Sequence, residues 1–383
     1  MKNIKNIDKT IFILTILFCI FGCVMILSAS SASTLLRYNK PSFHFFIRQI
    51  VAIGIGTFIG FFLLFISIRK YYLFPYLLVG IIIVLLIYVL YAGKVGGNAR
   101  SWIPIGIFNF QPSEAAKTIQ IIFMGFFYHF LHKNKCKKMF LYFIPVVVGL
   151  IMAYLIYLES DFGGAFMLMG ITMMVFISVP YIWKNRWKLI KASIIPILLI
   201  GIVFITNKEK ILSNKKLQRF NYKNPCQRYD EETGYQVCNG FIAISNGGLF
   251  GVGLGKSSQK FLYLPESHTD FIFPIIVEET GVLVGILIII GYFIYLYKFI
   301  KISKESLSLR NRIIAYGVFW YFAFHIIINL GGVLALIPLT GVPLPLLSYG
   351  GSFTMNVIIL LFIIQRIVIE NKKMRLNKAI DKI

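Results

Sequence analysis

The chain has 383 residues, of which 58% are hydrophobic, 16% aromatic and only 14% charged, against about 25% charged in a soluble domain. A mean hydropathy of +0.78 excludes a water-soluble globular fold as the main state. The formal charge of +24 does not indicate a nucleic-acid partner, because the Lys and Arg punctuate apolar runs instead of covering one soluble surface.

Apolar runs long enough to cross about 30 Å of hydrocarbon fall near residues 10–30, 47–68, 72–92, 113–131, 139–158, 163–182, 192–206, 271–297, 313–336 and 353–369. They predict an all-α polytopic membrane protein with about ten transmembrane helices, the whole of 1–383 forming one membrane domain. The basic N-terminal stretch lacks a small-residue cleavage site and reads as part of an uncleaved first helix. Connections on one side carry Lys2, Lys5, Lys9, Arg69, Lys70, the Lys133–Lys138 cluster, Lys184–Lys191, Lys298–Arg312 and the Lys-rich tail. The positive-inside rule makes that side, with both termini, cytoplasmic. Tyr71, Tyr72, Trp183 and Trp187 fall at span ends and read as interfacial anchors.

The opposite connections are 31–46, 93–112, 159–162, 207–270 and 337–352. The large extracytoplasmic loop 207–270, between spans 7 and 8, mixes turn formers with aromatics and is expected to pack on the helices. Cys19 and Cys23 lie within the first apolar run, and Cys136 in a Lys-rich cytosolic loop. Cys226 and Cys238 share the large loop, where they are either a disulfide or two thiols.

Polar residues at the outer ends of spans are the candidate chemistry. Glu114 and Lys117 are three apart at the start of the fourth span and share a helix face, while Ser113, after Pro112, is placed to cap that helix. Arg100 precedes them, and Asp161 stands in the next outer turn. Asp270 closes "LPESHTD", with Glu266 and His268 in the same turn; it is either a helix N-cap or a carboxylate desolvated enough to act as a base. Glu278 and Glu279 follow inside an apolar run, where adjacent acids must pair, line a hydrated cavity or brace structure. Lys256 lies in "GVGLGKS", whose glycine spacing is wrong for a phosphate-binding P-loop. The five histidines lack metal-ligand spacing, and Ser348 lacks a triad context. The glycines and prolines of "IPLTGVPLPLLSYGGS" break helices at membrane depth, which points to an outward-facing groove.

Taken together, "QPSEAAK", "GGLFGVGLGKSSQKFLYLPESHTDFIF" and "PLTGVPLPLLSYGGS" resemble the signature segments of the SEDS family of shape, elongation, division and sporulation proteins. The resemblance implies a ten-helix peptidoglycan glycosyltransferase of the bacterial cytoplasmic membrane. It would polymerise lipid II beside a class B penicillin-binding transpeptidase and other division or elongation membrane proteins. It implies Asp270 as the catalytic residue and Glu114 and Lys117 as a functional acid and base. The long loop segment is closer to the division than to the elongation branch. "ESDFGGA" replaces a "QPDLGTA"-like run, and "NARSWI" lacks a second arginine, so Asp161 keeps its match while the neighbouring roles do not transfer. Arg100, Lys117, Lys256 or a divalent cation would stabilise the leaving diphosphate. A lipid II flippase is the alternative that Glu278, Glu279 and the broken helices admit; an inactive scaffold would leave the outer polar residues unexplained.

Overall fold

The computed structural model describes residues 6–68, 72–96, 99–106, 108–136, 138–180, 222–261 and 263–381. The seventh expected span, 192–206, lies outside them, as do Tyr71, Trp183 and Trp187.

Helix α1 (Lys9–Leu36) starts where the Asp8 carboxylate accepts the Ile11 N–H. Prolines in the first turn, where a missing N–H costs nothing, open α3 (Phe74–Ala92), α4 (Pro112–Lys133) and α5 (Ile144–Leu158). Helix α2 (His44–Phe65) precedes α3, and α6 (Phe162–Ile177) begins where Asp161 accepts the Gly164 N–H. Between α3 and α4 the chain forms a small antiparallel sheet of β1 (Lys94–Gly96), β2 (Ala99–Ile105) and β3 (Phe108–Phe110) in that order. This short sheet is a local addition to the helical fold that was expected: "ARSWIPI" carries two isoleucines and Trp102, residue types that favour strands.

Among the described residues the remaining helices are α7 (Glu232–Gly247), α8 (Ile272–Thr280), α9 (Val282–Glu305), α10 (Leu309–Val333) and α11 (Gly351–Ile380). Among the described residues seven helical segments are long and apolar enough to cross a membrane. Helix α4 is not among them, because its polar residues lower its hydropathy; it packs inside, against α3, α6 and α10. The other major contacts pair α2 with α11, α5 with α6 and α9 with α10. The start of α1 meets α11, where the Asp8 N–H donates to Gln365 Oε1 at 2.8 Å and Lys298 Nζ lies 3.0 Å from Asp8. Glu370 accepts from Asn311 and the Ile68 N–H and pairs with Arg310 and Arg366.

The run expected as one span over 271–297 is instead two helices. Gly281, at φ +87°, separates α8 from α9, and a Cβ there would sit 2.2 Å from the Leu249 carbonyl. The backbone after α7 crosses this break: Val282 N–H donates to Gly248 O and Gly253 N–H to Glu279 O. Helix α8 therefore packs against α7 and the large loop, with Val237, Leu264, Phe271 and Val333 in one apolar cluster. Cys226 and Cys238 are joined by a disulfide that ties the 225–228 turn to α7.

A polar groove at the loop end of the bundle

Residues 263–271 meet the segment 337–350, where the Tyr349 N–H donates to the His268 carbonyl at 2.8 Å. Asp270 is 8% exposed. Its Oδ1 accepts from the Thr269 hydroxyl at 3.1 Å, and Oδ2 lies 3.5 Å from where a Cβ on Gly341 would stand. A Cβ at Gly341 would thus be in ordinary contact with the carboxylate, and it is the φ of +71° that suits glycine there. Asp270 stands one residue before the N-cap position of the helix that follows. The N-cap of α8 is Phe271, without a side-chain cap bond.

Asn329, on α10, holds this arrangement from below: its Nδ2 donates to the Asp270 carbonyl at 2.8 Å and to the Val342 carbonyl at 2.7 Å. One turn earlier, His325 places Nδ1 3.1 Å from the Pro343 carbonyl and Nε2 3.5 Å from Lys117 Nζ. Lys117 in turn donates to Glu114 at 2.8 Å, the pair that the three-residue spacing on α4 requires. Tyr321, another turn back, donates to Glu114 Oε2 at 3.4 Å. One face of α10, with Tyr321, His325 and Asn329 four apart, therefore links the Glu114–Lys117 pair to Asp270 through the 342–343 backbone. This signal was present in the sequence as three polar groups at helical period in an otherwise apolar span, and the candidate list lacked it.

Asp161 stands on the other side of the same segment. Gly163, two residues on, approaches Thr340 O so closely that a Cβ would lie 3.2 Å away. Asp161 Oδ2 accepts from Ser113 at 3.3 Å and Gln111 Nε2 at 3.4 Å. Ser113 thus faces Asp161 and does not cap α4, whose N-cap is Gln111. Beside it is a group that sequence reasoning missed. Glu159 is 2% exposed, and burial followed by the Asp161 charge pushes its carboxyl up to about 8. Geometrically neither Glu159 oxygen has a hydrogen-bond partner, although the nearby Ser101 hydroxyl partly offsets the shift. Burial outweighs that offset and favours the protonated carboxyl at pH 7.

Other candidates lie apart. Arg100 is exposed, with Nη1 3.4 Å from the Leu90 carbonyl, while its N–H donates to Glu159 O. Lys256 is exposed on the 251–260 loop. Glu278 and Glu279 do not sit in a spanning helix facing a cavity. Glu279 pairs with Lys260 at 2.9 Å and accepts from Ser28; Glu278 accepts from both Ser257 and Ser258 hydroxyls, from the Ser258 N–H and from Asn246. They staple the loop to α8, because the Gly281 break turns this stretch inward among polar donors. His268 is buried against Phe45, ring centroids 4.4 Å apart, and burial followed by the Arg37 charge lowers its pKa to about 4. Ser348 Oγ accepts the Leu344 N–H and serves the turn.

Among the described residues no three of His, Cys, Asp and Glu gather as metal ligands.

A profile of the family described as cell cycle proteins, grouping FtsW, RodA and SpoVE, matches residues 8–373. Similar proteins include the probable peptidoglycan glycosyltransferase FtsW of Bacillus subtilis (strain 168), 35% identical over 92% of this chain and 88% of its own. Stage V sporulation protein E of the same organism is 34% identical over 90% of this chain and 92% of its own. Among solved structures, the rod shape determining protein RodA of Thermus thermophilus matches with a TM-score of 0.65 and 25% identity, over 94% of this chain and 96% of that one. A chain of a peptidoglycan synthase complex that coordinates polymerization and crosslinking shares the fold, with TM-score 0.73, 23% identity, and 95% and 98% coverage.

Proposed function

Because the chain belongs to the FtsW, RodA and SpoVE family of cell cycle proteins, we propose that it is a peptidoglycan glycosyltransferase that polymerises lipid II with Asp270 as its general base. The observation that carries this reading is the placement of Asp270: a nearly buried carboxylate one residue before the N-cap of α8, beside Gly341 and tied by Asn329 to the 342 backbone. The acceptor's sugar hydroxyl attacks the anomeric carbon of the donor, its proton passes to Asp270, and the bond to the lipid diphosphate breaks. A weakly nucleophilic alcohol needs such a positioned base. A single displacement at an α-linked diphosphate yields a β-linked glycan.

Glu114 and Lys117 act here as positioning residues. Lys117 is 1% exposed and held by Glu114 and His325, so it sets α10 and the 342–343 backbone against Asp270 instead of meeting the diphosphate itself. A divalent cation, if bound, would supply charge stabilisation for the departing diphosphate. The flippase alternative is not favoured, since Glu278 and Glu279, which suggested a translocation path, are occupied in stapling the loop.

The disulfide supports an extracytoplasmic large loop, since disulfides persist in oxidising compartments. With the basic connections it supports a cytoplasmic-membrane protein with cytoplasmic termini, one membrane domain over 1–383 whose 207–270 loop faces outward. Relatives named FtsW support the division branch. A class B penicillin-binding transpeptidase is the partner that would crosslink the product. The test reconstitutes the protein with and without such a transpeptidase and follows lipid II. Polymer made by the wild type and lost in folded Asp270→Asn is expected; lipid movement without polymer, indifferent to Asp270→Asn, overturns the reading.

A further inference from the structure

Between Asp8 and Glu114 the chain has no acidic residue. The connection from α1 to α2 is short, residues 37–43, yet it carries Arg37 and Lys40, and Arg48 follows one turn into α2. Short outer connections ordinarily avoid Lys and Arg, since that bias sets membrane orientation; a long loop escapes the rule, but this one does not. Three cations gathered there call for an anion.

They also converge. Arg37 Nη1 donates to the Pro265 carbonyl at 3.2 Å, which leaves most of its five N–H donors for other acceptors. Its charge reaches His268, two residues before Asp270. The Arg48 charge acts on the Tyr349 hydroxyl, and both Arg48 and Lys40 act on His44. The Tyr349 N–H donates to the His268 carbonyl at 2.8 Å, and Phe45 packs on both rings. Arg48 is set in place by its neighbour Gln49, which is fully buried and clamps the start of α11 through the Thr354 hydroxyl at 2.8 Å and the Gly350 N–H at 3.3 Å. Two carboxylates, Glu266 and Asp270, lie on the 265–270 turn that Arg37 touches. Glu266 accepts from Thr269 at 2.9 Å and lies near Tyr38, and Asp270 stands at the groove foot. Arg37 and Lys40 are exposed and Arg48 half-buried, so the cationic side is open.

We infer that Arg37, Lys40 and Arg48 form a diphosphate-binding patch that holds the anionic linker of a lipid-carried sugar beside the Asp270 loop. The inference rests on the glycosyltransferase reading, which needs a diphosphate near the base. Arginine's planar fork suits bidentate contact with phosphate oxygens, and Lys40 adds a point charge. The patch accounts for a basic cluster that membrane topology opposes, and it orients the donor so that the leaving group lies against cations while the acceptor side faces Asp270.

The experiment uses the full chain in zwitterionic nanodiscs and measures binding of labelled polyprenyl diphosphate, with polyprenyl monophosphate, free pyrophosphate and phosphatidylglycerol as competitors. Arg37→Gln, Lys40→Gln and Arg48→Gln should each weaken binding about tenfold, as loss of a hydrogen bond between charged groups does, while Arg48→Lys retains most of it. Lys40 is exposed, so its variant reads binding without threatening the fold. Unchanged affinity in the triple variant, or competition by phosphatidylglycerol as effective as by the diphosphate, overturns the patch. Competition by free pyrophosphate alone, with no preference for the lipid-linked form, overturns its assignment to a lipid-carried sugar. Weakened diphosphate binding in a protein that makes no glycan would sustain the patch and sink the glycosyltransferase reading instead.

Discussion

Replacing Lys117 by Met tests the centre of the groove most directly. Lys117 and Glu114 are 1% and 5% exposed and 2.8 Å apart. Without the ammonium, the Glu114 carboxylate keeps the Tyr321 hydroxyl at 3.4 Å as its recorded donor, too little to compensate a buried charge. Breaking a buried pair from one side costs about 3–5 kcal/mol, whereas replacing both members by neutral groups of similar volume is often close to neutral. Lys117→Met should therefore destabilise by about 3–5 kcal/mol, and Glu114→Gln with Lys117→Met should recover most of that loss. The assay is a double-mutant cycle on unfolding in detergent, run beside polymer synthesis. Activity is expected to return only in part with stability, because His325 loses its Lys117 contact in both variants. A single variant costing under about 1 kcal/mol, or a double variant as unstable as the summed singles, would refute the buried-pair account.

Three further outcomes follow from the same geometry. Glu159 has its carboxyl raised from the ordinary value of 4.5 to about 8; such a group contributes stability that is full below 4.5 and lost as pH rises through about 8. Glu159→Gln should flatten that slope and stabilise the protein at pH 9 by roughly 1–3 kcal/mol, read from melting curves across pH 4–9; an unchanged slope would show that Glu159 is not the titrating group. Cys226→Ser opens the link to α7 and should cost about 2–3 kcal/mol locally, seen as faster proteolysis between 222 and 232 while α9–α11 stay protected. Gly251→Ala must fail, since its φ is +79° and its Cβ would meet the Glu279 carbonyl at 2.3 Å, whereas Gly54→Ala, with nothing within 4 Å, should melt as wild type; equal melting of the two would contradict the packing of the loop on α8.

The membrane class, most of the spanning helices and the Glu114–Lys117 pair were legible in the chain, because each depends on local quantities: apolar run length, the first-turn prolines of α3, α4 and α5, and a three-residue spacing on a helix. Asp270 was also legible, as a carboxylate at a polar-to-apolar boundary, but that Phe271 takes the N-cap position of the helix was not. The strand content of 94–110 was hidden because short strands carry weak periodicity when two turns fall close together.

What only the tertiary structure decided was long-range. Glu278 and Glu279 read as membrane-buried acids until Gly281 broke the run and folded the 251–260 loop back onto them, supplying Lys260 and the serines. His325 and Asn329 are individually unremarkable in an apolar span, and their meaning comes from carbonyls of Val342 and Pro343 more than ten residues away. Arg37 and Arg48 acquire a common direction only when α1, α2 and the 265–270 turn meet. Sequence by itself determines which segments leave water, since that free energy is summed over local apolar area; which polar groups then find one another is determined by packing, because an unpaired polar group away from water is costly enough to select one arrangement among many.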